Sequence, residues 1–320
     1  MELFWFLLLI VSLAALAKGA DLLLDGAHAA GSHLGLSAFG AGAIIIGTLT
    51  SIPDLIAGIV AQFKGASDVV VGIAIGANIA DILLIAALVA VIARGVRIYA
   101  DDVNFDTGWL LVATGALVFT AWDGIITGHE SLFLLLIFAL YWGVMYTVTR
   151  ANNANNKNHH SQETGHLFSR REMLMLASGF ALLIGGALFA VEAAIQLSEA
   201  FEISTGIIGL FAIALGTTLP ELFITLQSVR QNALRAPLAL GNIFGSNIFN
   251  ALVVVGIPGL IGNIELDPIT GTIGLWCMIL ATLVFAGAAF IRRRISFTEG
   301  VLYVSAYVLF VIVVAGVLTY

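Results

Sequence analysis

Long apolar runs separated by short polar stretches repeat along the whole chain. At 1.5 Å per helical residue, about 20 such residues cross a hydrocarbon layer roughly 30 Å thick. Counting on that basis predicts ten spans, near residues 3–27, 37–63, 69–93, 105–122, 131–149, 173–197, 204–229, 236–262, 270–291 and 298–319. The longest polar stretch, 150–172 (RANNANNKNHHSQETGHLFSRRE), divides the chain into 1–149 and 173–320, with a linker loop between. Its His159, His160 and His166 read as part of a solvated loop and not as a metal tract.

Composition agrees with that pattern. The chain is 60% hydrophobic and 10% charged, too apolar to coat a water-facing surface. The reading is an all-α polytopic membrane protein, and a soluble enzyme is excluded. A net charge of -7 with 13 Lys and Arg leaves no basic stripe for nucleic acid. The single cysteine, Cys277, lies in an apolar run and excludes a disulfide framework or thiolate metal site. The first run resembles a signal peptide, with Ala15-Leu16-Ala17 like a cleavage site, but its leading MELFW carries Glu2 and no base. Alternating the loops gathers Arg94, Arg97, Arg150, Lys157, Arg170, Arg171, Arg230, Arg235, Arg292, Arg293 and Arg294, eleven of the thirteen bases, on one side. The positive-inside rule predicts that side to be cytoplasmic, so both termini lie outside the cell membrane.

The two segments are copies of one another. An offset of 167 residues aligns Gly19-Ala20 with Gly186-Ala187, Asp25 with Glu192, and TSIPDL at 50–55 with TTLPEL at 217–222. With two extra residues in the second copy, GIAIGANIAD at 72–81 aligns with GNIFGSNIFN at 241–250. Five spans per copy is an odd number, so the second copy enters the membrane from the opposite side. Such inverted repeats are characteristic of transporters whose site lies between the halves near the midplane.

Asp54, Asp81, Glu221 and Asn250 sit deep within spans 2, 3, 7 and 8. A carboxylate at the centre of a span costs about 2.5–3.5 kcal/mol on insertion scales. No base occupies the middle of a span apart from Lys18 near the first, so the compensating partner is read as a bound cation. Pro53 and Pro220 precede two of the acids and each removes a backbone donor. That frees carbonyls around Gly47 to Thr50 and Ala214 to Thr217, tolerated in lipid only where they line a cavity or coordinate something. Thr50, Ser51, Thr217 and Thr218 add hydroxyls. An all-oxygen donor set suits calcium or sodium and not the metals that prefer nitrogen or sulfur. Gly72, Gly76, Gly241 and Gly245, with Ala77 and Ser246, read as small residues for close helix approach. Asn78 and Asn247 read as bridges between broken helices in preference to ion contacts.

The segments GTLTSIPDL…GIAIGANIAD and GTTLPEL…GNIFGSNIFN resemble the paired repeats of the cation/calcium exchanger superfamily, which includes the sodium/calcium exchangers. The resemblance implies ten transmembrane helices as two inverted-topology five-helix repeats, with helices 2, 3, 7 and 8 broken. It implies ions held between those four helices and alternating access by sliding of helices 1 and 6. Carried over by position, it makes Asp54, Asp81, Glu221 and Asn250 the central ligands. Thr50 and Thr217 then add carbonyls or hydroxyls, Gly47 and Ala214 carbonyls, and Ser51, Thr218 and Ser246 hydroxyls. The sequence departs from the family's usual pattern in carrying Asp54 in place of Glu, and Ala77 where a serine is common. It also has its acid and amide, Asp81 and Asn250, in the reverse order.

The function expected is a secondary antiporter exchanging sodium for calcium, working as a monomer without a cofactor. Potassium-dependent or proton-coupled calcium exchange is the alternative. An intramembrane enzyme built on Asp101 and Asp102, or a cation channel, ranks below both.

Overall fold

The computed structural model describes residues 2–31, 47–97, 100–155, 170–218, 221–222, 225 and 236–317. Apolar composition dictates the architecture, because backbone polar groups in lipid must be satisfied within the segment, and a helix does this. The described elements in chain order are α1 (Glu2–Gly31), α2 (Gly47–Thr50), α3 (Ile52–Phe63), α4 (Ser67–Ile92), α5 (Ala100–Thr120) and α6 (Gly128–Asn155). The second half contributes α7 (Arg170–Phe201), α8 (Thr205–Thr218), α9 (236–261), α10 (Thr270–Arg292) and α11 (Phe297–Val317). Eight of these stretches are long and apolar enough to cross a membrane, which makes this a multi-pass membrane protein. The predicted spans 2 and 7 run into residues outside the described set, as does all but the two ends of the linker 150–172.

Four two-residue strands close the ends of the bundle: β1 (Val96–Arg97), β2 (Ile125–Ile126), β3 (Ile264–Glu265) and β4 (Arg294–Ile295). β1 pairs antiparallel with β4, and β2 with β3. Each pair thus joins a turn of one half to a turn of the other.

Of the four breaks expected, one is present, two take another form, and the one beside Pro220 lies outside the described residues. Between α2 and α3 the helix is interrupted at Ser51, with Pro53 in the first turn of α3, where a missing N–H is harmless. Helices α4 and α9 are not broken. Each instead widens into a π-helical segment, Asp81–Ala86 in one and Asn250–Val254 in the other. The wide turn displaces the i→i−4 ladder without severing it, a distortion frequent at functional sites. It begins in both helices at the candidate ligand.

Helices α1 and α7 pack along one another, and α4 forms the centre, buried from Val69 to Leu83. Two glycines set how closely the halves approach. A Cβ on Gly76 would stand 2.1 Å from the Leu210 carbonyl oxygen of α8, and one on Gly47 would stand 2.7 Å from the Ser246 amide nitrogen of α9. Both obstacles are backbone atoms, which cannot rotate away. The close contact between small residues that the sequence predicted is therefore present, and it draws α2, α4, α8 and α9 around one point. Outside this core, Lys64 at the end of α3 pairs with Glu192 of α7. The pair is partly exposed and adds about 0–1 kcal/mol at most.

Candidate ion-binding site

The polar residues of α2, α3, α4, α8 and α9 meet at the point the glycines define. Asp54 lies in the first turn of α3 and Glu221 just beyond α8 in the chain. Asp81 and Asn250 open the two π segments. Asp54, Asp81 and Asn250 are fully buried, and Glu221 is 1% exposed. Thr50, Ser51, Thr217, Thr218 and Ser246 are buried as well, Thr218 most exposed at 3%. The cluster is sealed from its surroundings in this conformation.

The hydrogen bonds cross between the halves. Thr217 donates its hydroxyl to Oδ1 of Asp54, so a side chain of the second half serves an acid of the first. In return, Ser51 donates to Oε1 of Glu221 at 3.4 Å. The same oxygen accepts from Ser246, whose Oγ lies 2.8 Å from that of Ser51. The symmetric triangle is missing on the other side, because Ala77 occupies the position equivalent to Ser246. Thr218 accordingly turns its hydroxyl back to the carbonyls of Ala214 and Leu215, each at 3.0 Å. The Ala214 carbonyl also accepts from Thr217 at 2.9 Å. The Gly47 carbonyl accepts from the Ser51 amide and from the Thr50 hydroxyl, both at 3.3 Å.

Asp54, Asp81 and Glu221 are near enough to one another to act on each other electrostatically. Three carboxyl groups thus share one buried volume. Every Lys or Arg whose side chain is described is exposed, so no base among them compensates these acids. Leaving such a cluster ionised and alone costs several kcal/mol per charge. Several oxygens are also without a hydrogen-bond partner: Oδ2 of Asp54, Oδ1 of Asp81, and Oδ1 of Asn78, Asn247 and Asn250. An unpartnered buried acceptor is rare in proteins. Carboxylate and amide oxygens of this kind are the donors a hard cation takes.

The two asparagines read as bridges do bridge, through their amide nitrogens. Asn78 donates to the Asn247 carbonyl at 3.2 Å, and Asn247 donates to Asp81 Oδ2 at 3.1 Å and to the Ile243 carbonyl at 2.7 Å. Their side-chain oxygens are left over, so bridging and facing the cluster are compatible. Asn242 and Thr225 are among the buried polar residues that the sequence reading did not single out. Asn242 accepts from Thr50 at 3.2 Å, and Thr225 lies one turn beyond Glu221 with its hydroxyl unpartnered. The signal was present, since each is a polar residue whose counterpart in the first copy, Ile73 or Gly58, is apolar. Asp101 and Asp102 fall in the first turn of α5, away from these residues in the chain, and their side chains lie outside the described set.

The sodium/calcium exchanger protein family matches residues 4–147 and 172–316, nearly all of both halves. The chain belongs to the sodium/calcium exchanger family. Among relatives of this exchanger, the inner membrane protein YrbG of Escherichia coli is 31% identical, over 87% of this chain and 86% of its own. Sodium/calcium exchanger MaX1 of Methanosarcina acetivorans is 27% identical, over 96% and 97% of the two chains. The fold matches that of the sodium-calcium exchanger NCX_Mj with a TM-score of 0.64 at 24% identity, covering 97% of this chain and 98% of that one. The exchanger is therefore a membrane transporter of the cation/calcium class and not an enzyme.

Proposed function

We propose that this exchanger carries sodium and calcium in opposite directions, with both ions competing for the cluster around Asp54, Asp81 and Glu221. The observation that carries the reading is three buried acids close to one another, with unpartnered oxygens among them and their neighbours and no compensating base among the described residues. In this reading Asp54 and Glu221 hold calcium from opposite halves. Asp81, Asn250, Thr50 and Thr217 complete the shell, with the carbonyls of Gly47 and Ala214 and the hydroxyls of Ser51, Thr218 and Ser246 at its edges. One divalent ion or several monovalent ions neutralise the same acids, so occupancy is exclusive. A ligand drives the transport cycle only through different affinities for its states.

The access change is assigned to the α1–α7 pair sliding over the other helices, in a ten-span arrangement of two inverted repeats. The shared features of the halves support it: matched motifs, matched π segments and reciprocal strand pairs. Because one chain supplies every ligand, the unit of transport is assigned to the monomer. The eleven bases on one side support a cytoplasmic linker with both termini outside.

The test is calcium uptake by purified protein in sealed liposomes, with sodium, potassium or proton gradients imposed separately. Uptake driven by an outward sodium gradient alone is the result this reading requires. Uptake driven only by protons, or only when potassium is present, would replace it with the corresponding exchange.

A further inference from the structure

The two halves close the turn after their fourth span in the same way, except for one reversal of charge. In the first half the Thr127 amide and hydroxyl donate to Glu130 Oε2 at 2.8 and 2.7 Å, and the Glu130 amide donates back to the Thr127 hydroxyl at 3.4 Å. In the second half, 169 residues on, Ser296 donates to Glu299 Oε2 at 2.8 and 2.7 Å and accepts from the Glu299 amide at 3.3 Å. Both are reciprocal capping boxes. The other oxygen of Glu299, Oε1, takes the guanidinium of Arg292. The residue equivalent to Arg292 in the first half, again 169 positions back, is Asp123. Where one half places an ion pair, the other places two carboxylates.

Those two carboxylates line one groove of about 570 Å³, together with Gly115, Val118, Phe119 and Trp122. Asp123 Oδ1 accepts the Ile125 amide at 3.2 Å, and Glu130 uses Oε2 in its cap. One oxygen of each carboxylate therefore remains for a cation that no described residue supplies. His129 is exposed and is not part of the groove lining.

The rest of the groove says what kind of cation. Phe119 is 71% and Trp122 75% exposed, and Gly115 has open space where a side chain would stand. The apolar span Val103–Thr120 ends just before Trp122, which puts that indole at the level of lipid headgroups and Gly115 to Phe119 alongside acyl chains. A bare divalent ion needs six to eight oxygens and finds two here. A cation carrying an apolar tail uses both the acids and the groove.

We propose that this groove holds one phospholipid with a primary ammonium headgroup, phosphatidylethanolamine, its ammonium between Asp123 and Glu130 and its chain against Gly115, Val118 and Phe119. The ammonium donates charge-assisted hydrogen bonds to the two remaining oxygens and packs against the Trp122 indole. A choline headgroup has no N–H to donate.

Native mass spectrometry of the delipidated full-length protein tests this with added phosphatidylethanolamine, phosphatidylcholine or phosphatidylglycerol of identical chains, and with calcium chloride in a parallel arm. One phosphatidylethanolamine should be retained about tenfold more tightly than phosphatidylcholine, the order of one charge-assisted hydrogen bond. Asp123→Arg rebuilds the second half's ion pair in the first and should bring phosphatidylethanolamine down to the phosphatidylcholine level. Asp123→Asn, isosteric and able to keep the Ile125 bond, should fall between. Equal retention of the two lipids by the wild type, or unchanged retention by either variant, overturns the proposal. So does calcium that binds here, is lost in Asp123→Arg and displaces no lipid, which would make the pair a metal site.

Discussion

Asp54→Asn and Glu221→Gln should each reduce sodium-driven calcium flux to background while the protein still folds and inserts. Each substitution keeps the side-chain shape and its role as a hydrogen-bond acceptor, from Thr217 in one case and from Ser51 and Ser246 in the other. What is removed is one negative charge from a fully enclosed site. An unbalanced charge in such a place is worth about 3–5 kcal/mol, and every 1.4 kcal/mol is tenfold in affinity. Calcium binding should therefore weaken by more than about 100-fold in either variant. The proposed sharing of one ion by the two acids requires the loss to be near equal for both. A variant that keeps more than a tenth of the wild-type flux would show that its acid is not a calcium ligand.

The second large effect separates charge from position. Asp81→Asn preserves an oxygen able to accept the Asn247 amide, so a merely structural role for Asp81 survives the change. In the proposed exchange Asp81, one of three neighbouring acids, would instead help set how many sodium ions can be neutralised. Its replacement should lower sodium-driven flux by about tenfold or more, equivalent to at least 1.4 kcal/mol. Adding Asn250→Asp restores the total charge from the matching π segment, where both amide atoms of Asn250 lack a partner. The double variant should recover at least part of the lost flux. If Asp81 only ties helices together, the two losses add and no recovery is seen, because coupling between sites appears as a departure from additivity. Flux measured in the wild type, both single variants and the double variant decides between these outcomes.

The membrane architecture was legible because lipid is an unforgiving solvent. It requires long apolar runs, and any acid inside one must have a reason to be there. Asp54, Asp81, Glu221 and Asn250 therefore stood out from the sequence, and the structure buries all four and brings the three acids near one another. The duplicated motifs also announced which helices would meet. What the sequence hid was decided by tertiary contact. Prolines were expected to break helices, and the break beside Pro53 is present. Asp81 and Asn250 have no proline at their side, and there the helices widen into π turns, as α8 and α10 do at other places. Partner choice was equally hidden. That Ser51 and Ser246 both attend Glu221 while Thr218 turns back to its own helix follows from a single absent hydroxyl, at Ala77, and from the distance between backbones that Gly47 permits. Asn242 was overlooked because its glycine-asparagine context read as a helix-packing motif, whereas its carbonyl holds Thr50. The paired carboxylates Asp123 and Glu130 gained meaning only beside the Arg292–Glu299 pair that fills the same place in the other half.

Calcium and sodium are proposed to compete for one carboxylate cluster. Equilibrium binding of radioactive calcium to the purified protein, titrated with sodium at constant ionic strength, tests it without a membrane gradient or a rate. Sodium should displace calcium completely, more steeply than one ion for one ion because a divalent charge must be replaced, and calcium binding should be missing from Glu221→Gln. Calcium binding that is indifferent to sodium, or that persists in Glu221→Gln at wild-type affinity, would contradict the account.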